Sequence, residues 1–294
     1  MPRSAANGIE IEYDTFGTPN DPALLLVMGF TAQMTAWDEG FCRMLADGGR
    51  YVIRFDNRDV GLSTKLDGVE VDIGGAITSW ISDSPCPPVP YTLSDMSDDG
   101  LALLDALGIE HAHMVGASMG GMIVQTTGIE HPERVLTLTS IMSNTGELDY
   151  GQPTPEAMEA LLTPPPTERA EYIERSVRVA KLVGSPRYHD EAKIRARASA
   201  AYDRSFYPEG AGRQLAAAVA SRDRADGLKQ LRLPTLVIHG RADSLIQLSG
   251  GERSAELVPG ANLLVCNDMG HDLPEPLWPL ITDAILSHTT HAIG

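Results

Sequence analysis

Three cysteines in 294 residues, Cys42, Cys86 and Cys266, are odd in number and widely spaced. They build neither a disulfide framework nor a zinc site, and point to a cytoplasmic protein. Basic residues are also scarce: 23 Lys and Arg stand against 40 Asp and Glu, a formal net charge of −17. A chain of that sign is a poor partner for nucleic acid or an anionic membrane surface. No stretch approaches the roughly 20 apolar residues of a membrane span. The N-terminus lacks the apolar region of a signal peptide and alternates Ile9, Ile11 and Tyr13 like a strand. No segment is duplicated. What remains is a soluble chain with a small-molecule partner, without nucleic acid or stable membrane insertion, and with homo-oligomerisation left open. Its 43% hydrophobic content is enough to bury a full core, in one large α/β domain with an insertion.

Strands and helices alternate up to about residue 142. This predicts an α/β fold with a mostly parallel central sheet and helices on both faces. Strands are expected near Ile9 to Phe16, Ala23 to Val27, Tyr51 to Phe55, His111 to Val115 and Val135 to Met142, and helices near Trp37 to Asp47, Leu93 to Leu107 and Met119 to Glu130. The alternation resumes at Leu233 and ends in a helix with a Leu277, Trp278, Ile281, Ala284, Ile285 stripe. Two stretches interrupt it. Residues 64–90 carry the proline run 84–90 and read as a mobile or binding loop. Residues 143–232, Pro-rich and then helical in pattern, read as an inserted helical cap or lid, leaving 1–142 and 233–294 as the core domain.

Gly116-Ala117-Ser118-Met119-Gly120 lies where an apolar strand, His113 to Val115, meets an amphipathic helix opened by Met122, Ile123 and Val124. A serine between two glycines in that setting forms a nucleophile elbow: tiny neighbours let strand and helix approach while Oγ is lifted above the sheet. A serine hydroxyl needs a general base and a group to orient it. Leu233 to His239 is a proline-led apolar strand running into Asp243, the candidate acid, and Asn262 to Cys266 is another, followed by His271, the candidate base. Asp268 competes with Asp243 but sits three residues before His271, where it would bond within its own turn. His239 lies inside a strand. His111, His113, His131, His189, His288 and His291 carry no partner pattern. Oxyanion donors are expected from the backbone N–H of Met119, after the nucleophile, and of Phe30, where Gly29 lets the loop after Ala23 to Val27 turn its amides inward. Met28, Met34, Trp37, Met119 and Met122 are candidates to line an apolar substrate pocket. No metal or organic cofactor is called for.

Together these blocks resemble the α/β-hydrolase superfamily over nearly the whole chain outside the cap. More narrowly, DPALLLVMG (21–29), VIRFDNRDVGLS (52–63), HMVGASMGGMIVQ (113–125) and MGHDLPEPLW (269–278) resemble carboxylesterases related to aclacinomycin methylesterase. The resemblance implies Ser118 as nucleophile, Asp243 as acid, His271 as base and the Phe30 and Met119 amides as oxyanion hole. It also implies that Asp56, Arg58, Asp59, Gly61 and Ser63 belong to a scaffolding loop beside the site. Relatives commonly carry a proline a few residues after the acid, whereas this chain reads Asp243-Ser244-Leu245-Ile246-Gln247-Leu248, which leaves the course of that loop open. The expected activity is hydrolysis of a carboxylic ester of an apolar small molecule through an acyl-enzyme. The alternatives are acyl transfer, perhydrolysis or carbon–carbon bond hydrolysis on the same residues, or a ligand receptor with little turnover.

Overall fold

The structure, a computed structural model, describes residues 2–82 and 84–290; His291 lies outside the described residues. Eight strands, β1 (Arg3–Ala6), β2 (Ile9–Phe16), β3 (Ala23–Val27), β4 (Tyr51–Phe55), β5 (Ala112–Ala117), β6 (Val135–Ile141), β7 (Thr235–Gly240) and β8 (Asn262–Cys266), form one sheet in the order β1-β2-β4-β3-β5-β6-β7-β8. Pairing is antiparallel for β1–β2 and β2–β4 and parallel from β4 to β8. Central parallel strands covered on both faces need apolar residues at every position, and β3 (ALLLV) is buried throughout. Its side chains divide by strand alternation. Leu24 and Leu26 join the core face that includes Phe41, Trp278 and Ile285, while Leu25 and Val27 join the face with Leu103, Ile123 and Val124.

The helices that cover these faces are α1 (Glu39–Asp47), α2 (Ile73–Ser82), α3 (Leu93–Ala106) and α4 (Met119–Glu130), then α5 (Pro155–Leu162), α6 (Arg169–Val183), α7 (Glu191–Arg204), α8 (Glu209–Ala220) and α9 (Ala225–Gln230), and finally α10 (Leu248–Leu257) and α11 (Trp278–Thr290). Local signals set several boundaries. Thr92 and Asp95 cap α3 reciprocally, satisfying donors that the first turn leaves open. The helix expected from Trp37 starts at Glu39 instead, because Asp38 accepts from the Gly40 N–H and takes the N-cap position.

Four features depart from the sequence reading. β1 is an added edge strand, pairing Arg3 with Glu12 across the Asn7-Gly8 turn. Residues 64–90 are not all loop, for they contain α2, which packs on α8. Gly74 and Gly75 each lower helix propensity by about 1 kcal/mol, so tertiary contact rather than local preference holds this helix. The inserted stretch does not lie wholly apart from the core: Ala225 and Leu228 of α9 sit in the main hydrophobic cluster, with α9 against α4. Finally, α4 is not amphipathic, since Met119, Ile123, Val124, Gln125, Thr126 and Thr127 are all buried between sheet and neighbouring helices.

His113 on β5 is fully buried, its Nδ1 paired with Thr137 Oγ1 at 2.9 Å. Burial, with Arg50 and His288 adding repulsion, pushes it down from 6.5 to about 4. The folded protein therefore keeps it neutral while the unfolded chain takes up a proton below about pH 6.5, so its stability contribution is present above that pH and lost as pH falls toward 4. Unfolding free energies from urea titrations at pH 7 and 4.5 should fall by about 2 to 3 kcal/mol more in wild type than in His113→Asn. Equal losses in the two proteins would contradict this role.

Candidate active site

Strand β5 runs straight into α4 through Ser118, whose backbone sits at φ 57°, ψ −122°. That conformation costs a non-glycine residue roughly 1 to 3 kcal/mol and persists because the contacts on both sides leave no alternative. A Cβ on Gly116 would stand 2.1 Å from the Gly120 carbonyl oxygen, and one on Gly120 would stand 2.1 Å from that of Val27. Both positions therefore have to be glycine. The Ser118 N–H donates to the Ile141 carbonyl at 2.9 Å, which ties the turn to β6.

Two further loops, after β7 and β8, meet this serine at the C-terminal edge of the parallel strands. Ser118 Oγ lies 2.9 Å from His271 Nε2, and His271 Nδ1 lies 2.7 Å from Asp243 Oδ2. The other Asp243 oxygen accepts from the backbone N–H of Leu245 and of Ile246, each at 2.9 Å. A proline at 245 or 246 would remove one of the two donors that hold the carboxylate. His239, inside β7 and fully buried, donates from Nε2 to the Ile246 carbonyl at 2.8 Å, supporting the same loop from below. Burial lowers its pKa. Asp268 is turned away, paired with Arg187 at 2.8 Å on the surface.

The loop after β3 presses against the serine. A Cβ on Gly29 would lie 2.8 Å from the Ser118 Cβ, so Phe30 begins where the chain has just passed Ser118. Asn57 Nδ2 donates to the Met28 carbonyl at 2.8 Å. Gln214 of α8, fully buried, accepts from the Thr31 N–H at 2.8 Å and donates to the Arg58 carbonyl at 2.9 Å. Met119 opens α4, where the first N–H groups have no partner within the helix.

Asp56, Arg58 and Asp59 bury their charges next to this loop, in a segment that also holds Gly61 and Ser63. Asp56 accepts from the Met34 and Leu62 N–H groups, each at 2.8 Å, and pairs with Arg204 at 2.8 Å. Asp59 takes a bidentate pair from Arg213, 2.8 and 2.9 Å, with the Tyr91 hydroxyl on it at 2.8 Å. Arg58 forks onto both oxygens of Asp99 at 2.6 Å. Ser63 Oγ accepts from the Glu12 N–H and donates to the Asp56 carbonyl. Arg204, Arg213 and Gln214 come from the inserted stretch, some 150 residues away in sequence, and nothing local in the sequence marked them.

Four of the five side chains expected to line a pocket divide between the two core clusters. Met28 and Trp37 belong to the core face with Phe41 and Trp278, Trp37 stacking on Phe41 at 5.6 Å, whereas Met119 and Met122 pack on the opposite face. Met34 and Trp37 have no exposed surface. Among the described residues no group of three or more His, Cys, Asp or Glu is placed to hold a metal ion, and no helix is long and apolar enough to cross a membrane.

A sequence model of the α/β-hydrolase fold matches residues 22–275. The rhodomycin D methylesterase of Streptomyces sp. strain C5 is 28% identical over 298 aligned positions, covering 94% of this chain and 93% of that protein. The rhodomycin D methylesterase of Streptomyces peucetius gives the same identity and coverage. Among solved structures, a meta-cleavage product hydrolase of Pseudomonas fluorescens superposes with a TM-score of 0.78 at 21% identity, covering 99% of this chain and 98% of that one. A match over most of the length, together with a central parallel sheet, a strained serine between glycines and loops converging on it, establishes that this chain belongs to the α/β-hydrolase fold family.

Proposed function

We propose that the chain hydrolyses a carboxylic ester of an apolar, polycyclic small molecule, with Ser118 as nucleophile, His271 as general base and Asp243 as the group that orients it. The continuous contact from Ser118 Oγ through both ring nitrogens of His271 to Asp243 carries the reading. Two rhodomycin D methylesterase relatives support an ester as the substrate. Asp243 accepts a hydrogen bond from Nδ1–H and so leaves Nε2 free to take the proton from Oγ as it attacks the ester carbonyl. The tetrahedral oxyanion is received by the N–H groups of Met119 and Phe30, where a single donor contributes about 3 to 4 kcal/mol to transition-state stabilisation. His271 then hands its proton to the leaving alcohol, and water, activated by the same imidazole, releases the acid from Ser118. In this reading the helices α5–α8 form a cap that shields the acyl-enzyme from bulk water.

Carbon–carbon bond hydrolysis on the same residues is the second reading, suggested by the fold shared with the meta-cleavage product hydrolase. Hydrolysis of p-nitrophenyl esters of increasing chain length, with and without an acceptor alcohol, separates ester cleavage from acyl transfer. Cleavage of a vinylogous diketone in preference to every ester would favour the second reading.

Ser118→Ala should lose on the order of 10⁶ in kcat while melting as wild type does, since only Oγ is removed; turnover near the wild-type rate in the purified variant would overturn the nucleophile. Asp243→Asn should cost about 10⁴ in kcat by favouring the wrong tautomer of His271, and Asp268→Asn about tenfold or less, because its carboxylate only pairs with Arg187 at the surface. The reverse order, with both variants folded, would move the acid to the His271 loop. Because only neutral imidazole accepts the serine proton, kcat/KM should fall as the solution is acidified, and a profile flat down to about pH 5 with chemistry limiting would rule out His271 as base.

A further inference from the structure

The loop that carries His271 is gripped from the inserted stretch as well as from the sheet. The contacts nearest His271 come from Val183, Gly184 and Ser185, where α6 ends. The His271 N–H donates to the Val183 carbonyl at 2.6 Å. The Gly270 N–H donates to Ser185 Oγ at 2.9 Å. The Ser185 N–H donates to Asp272 Oδ1 at 3.0 Å, and the Ser185 hydroxyl donates to that same oxygen. One buried hydroxyl thus accepts from the residue before His271 and donates to the residue after it. The two segments touch backbone to backbone: a Cβ on Gly270 would stand 2.4 Å from the carbonyl carbon and oxygen of Gly184. Beside this contact, Ser244 Oγ donates to the Leu182 carbonyl at 3.0 Å, so the acid loop is held by the same stretch.

We infer that Ser185, together with Asp272, is a positioning device through which the inserted stretch holds the His271 imidazole between Ser118 and Asp243. The inference rests on the reading of His271 as general base. Ser185 acts through the His271 backbone, so its loss misaligns the proton transfer without removing a group that grips the substrate. Misplacement of a reacting group by about 1 Å costs up to about 100-fold in rate, and the cost falls on kcat when the interaction matters only in the transition state.

Asp272 adds a separable electrostatic effect. Burial raises its pKa, while the bonds from Ser185 and the nearby His271 act in the other direction. The groups facing His271 are the Asp243 and Asp272 carboxylates, His239 behind Asp243, and at the rim the Arg187–Asp268 and Lys193–Glu275 pairs. Asparagine at 272 keeps the oxygen that Ser185 bonds but removes a negative charge beside the imidazolium. The acid limb of kcat/KM should then move to lower pH.

The test uses purified full-length Ser185→Ala, Asp272→Asn, Ser118→Ala and, as a control in an exposed ion pair with Asp203, Arg169→Ala. p-Nitrophenyl butyrate hydrolysis gives kcat, KM and the pH profile, and a fluorophosphonate probe gives the rate of Ser118 phosphonylation. Ser185→Ala should lower kcat about 10- to 100-fold with KM within about threefold, and slow phosphonylation in step. Asp272→Asn should move the acid limb down by about half a pH unit, and Arg169→Ala should match wild type. Wild-type kcat and phosphonylation in Ser185→Ala, or a change confined to KM, overturns the inference. If Ser185→Ala does not fold, Asp272→Ala, which removes the oxygen that Ser185 bonds, is read in its place, and wild-type kcat and phosphonylation in that variant overturn the inference. Turnover that survives in Ser118→Ala overturns the ester-hydrolase reading itself, a separate result from failure of the Ser185 effect with Ser118→Ala inactive.

Discussion

The close approach of α4 to strands β3 and β5 is the constraint from which the site follows. Gly116 and Gly120 let backbone meet backbone at distances that no side chain would allow, and the turn between them is forced into the strained conformation of Ser118. Strain of that kind is stable only where the surroundings over-determine it. Here α4 is buried on nearly every side and the Ser118 N–H is bonded to β6. The serine is thereby fixed relative to the sheet, and the loops bearing His271 and Asp243 leave that sheet at its same edge. Parallel strands make this convergence a matter of topology: β3, β5, β7 and β8 all end where the four contributing loops begin.

Around the serine, charge is used to set geometry. The Asp59–Arg213, Asp56–Arg204 and Arg58–Asp99 pairs are buried or nearly so. Such pairs add little net stability compared with apolar packing, because both ions lose their hydration. Removing one partner, however, leaves a buried charge and costs about 3 to 5 kcal/mol. Two of the arginines come from α7 and α8, so these pairs fasten the inserted helices to the loop beside Gly29 and Phe30 in one register. Gln214 completes the connection by bonding the Thr31 N–H.

The parts of the site legible in the sequence were those with a local chemical signature. Ser118 was marked by glycines whose necessity the structure shows atom by atom, while Asp243 and His271 each follow an apolar strand. The sheet core was equally plain, since ALLLV has no amphipathic reading. The rest depended on contacts between distant segments. Gln214, Arg204 and Arg213 sit in helices whose patterns indicate only exposed and half-buried faces, Ser185 sits just past the end of α6, and the partners named for them above lie 85 or more residues away. α2 was hidden by Gly74 and Gly75, and β1 by its short, polar edge sequence. Trp37 and Met34 looked like pocket residues by type, but they were absorbed into the interior because large apolar side chains near a site are also what the sheet needs to cover it.

If Ser118 is the nucleophile, as proposed, the acyl carbon of the ester becomes covalently attached to its Oγ and nowhere else before water releases it. The most direct measurement is rapid acid quench of the enzyme during turnover of a p-nitrophenyl ester, followed by peptide mapping by mass spectrometry. The proposed acyl-enzyme requires an acyl mass increment confined to the peptide containing Ser118, appearing within the first turnover and disappearing as substrate is exhausted. Sustained turnover with no increment on that peptide, or with the increment on another residue, would contradict it.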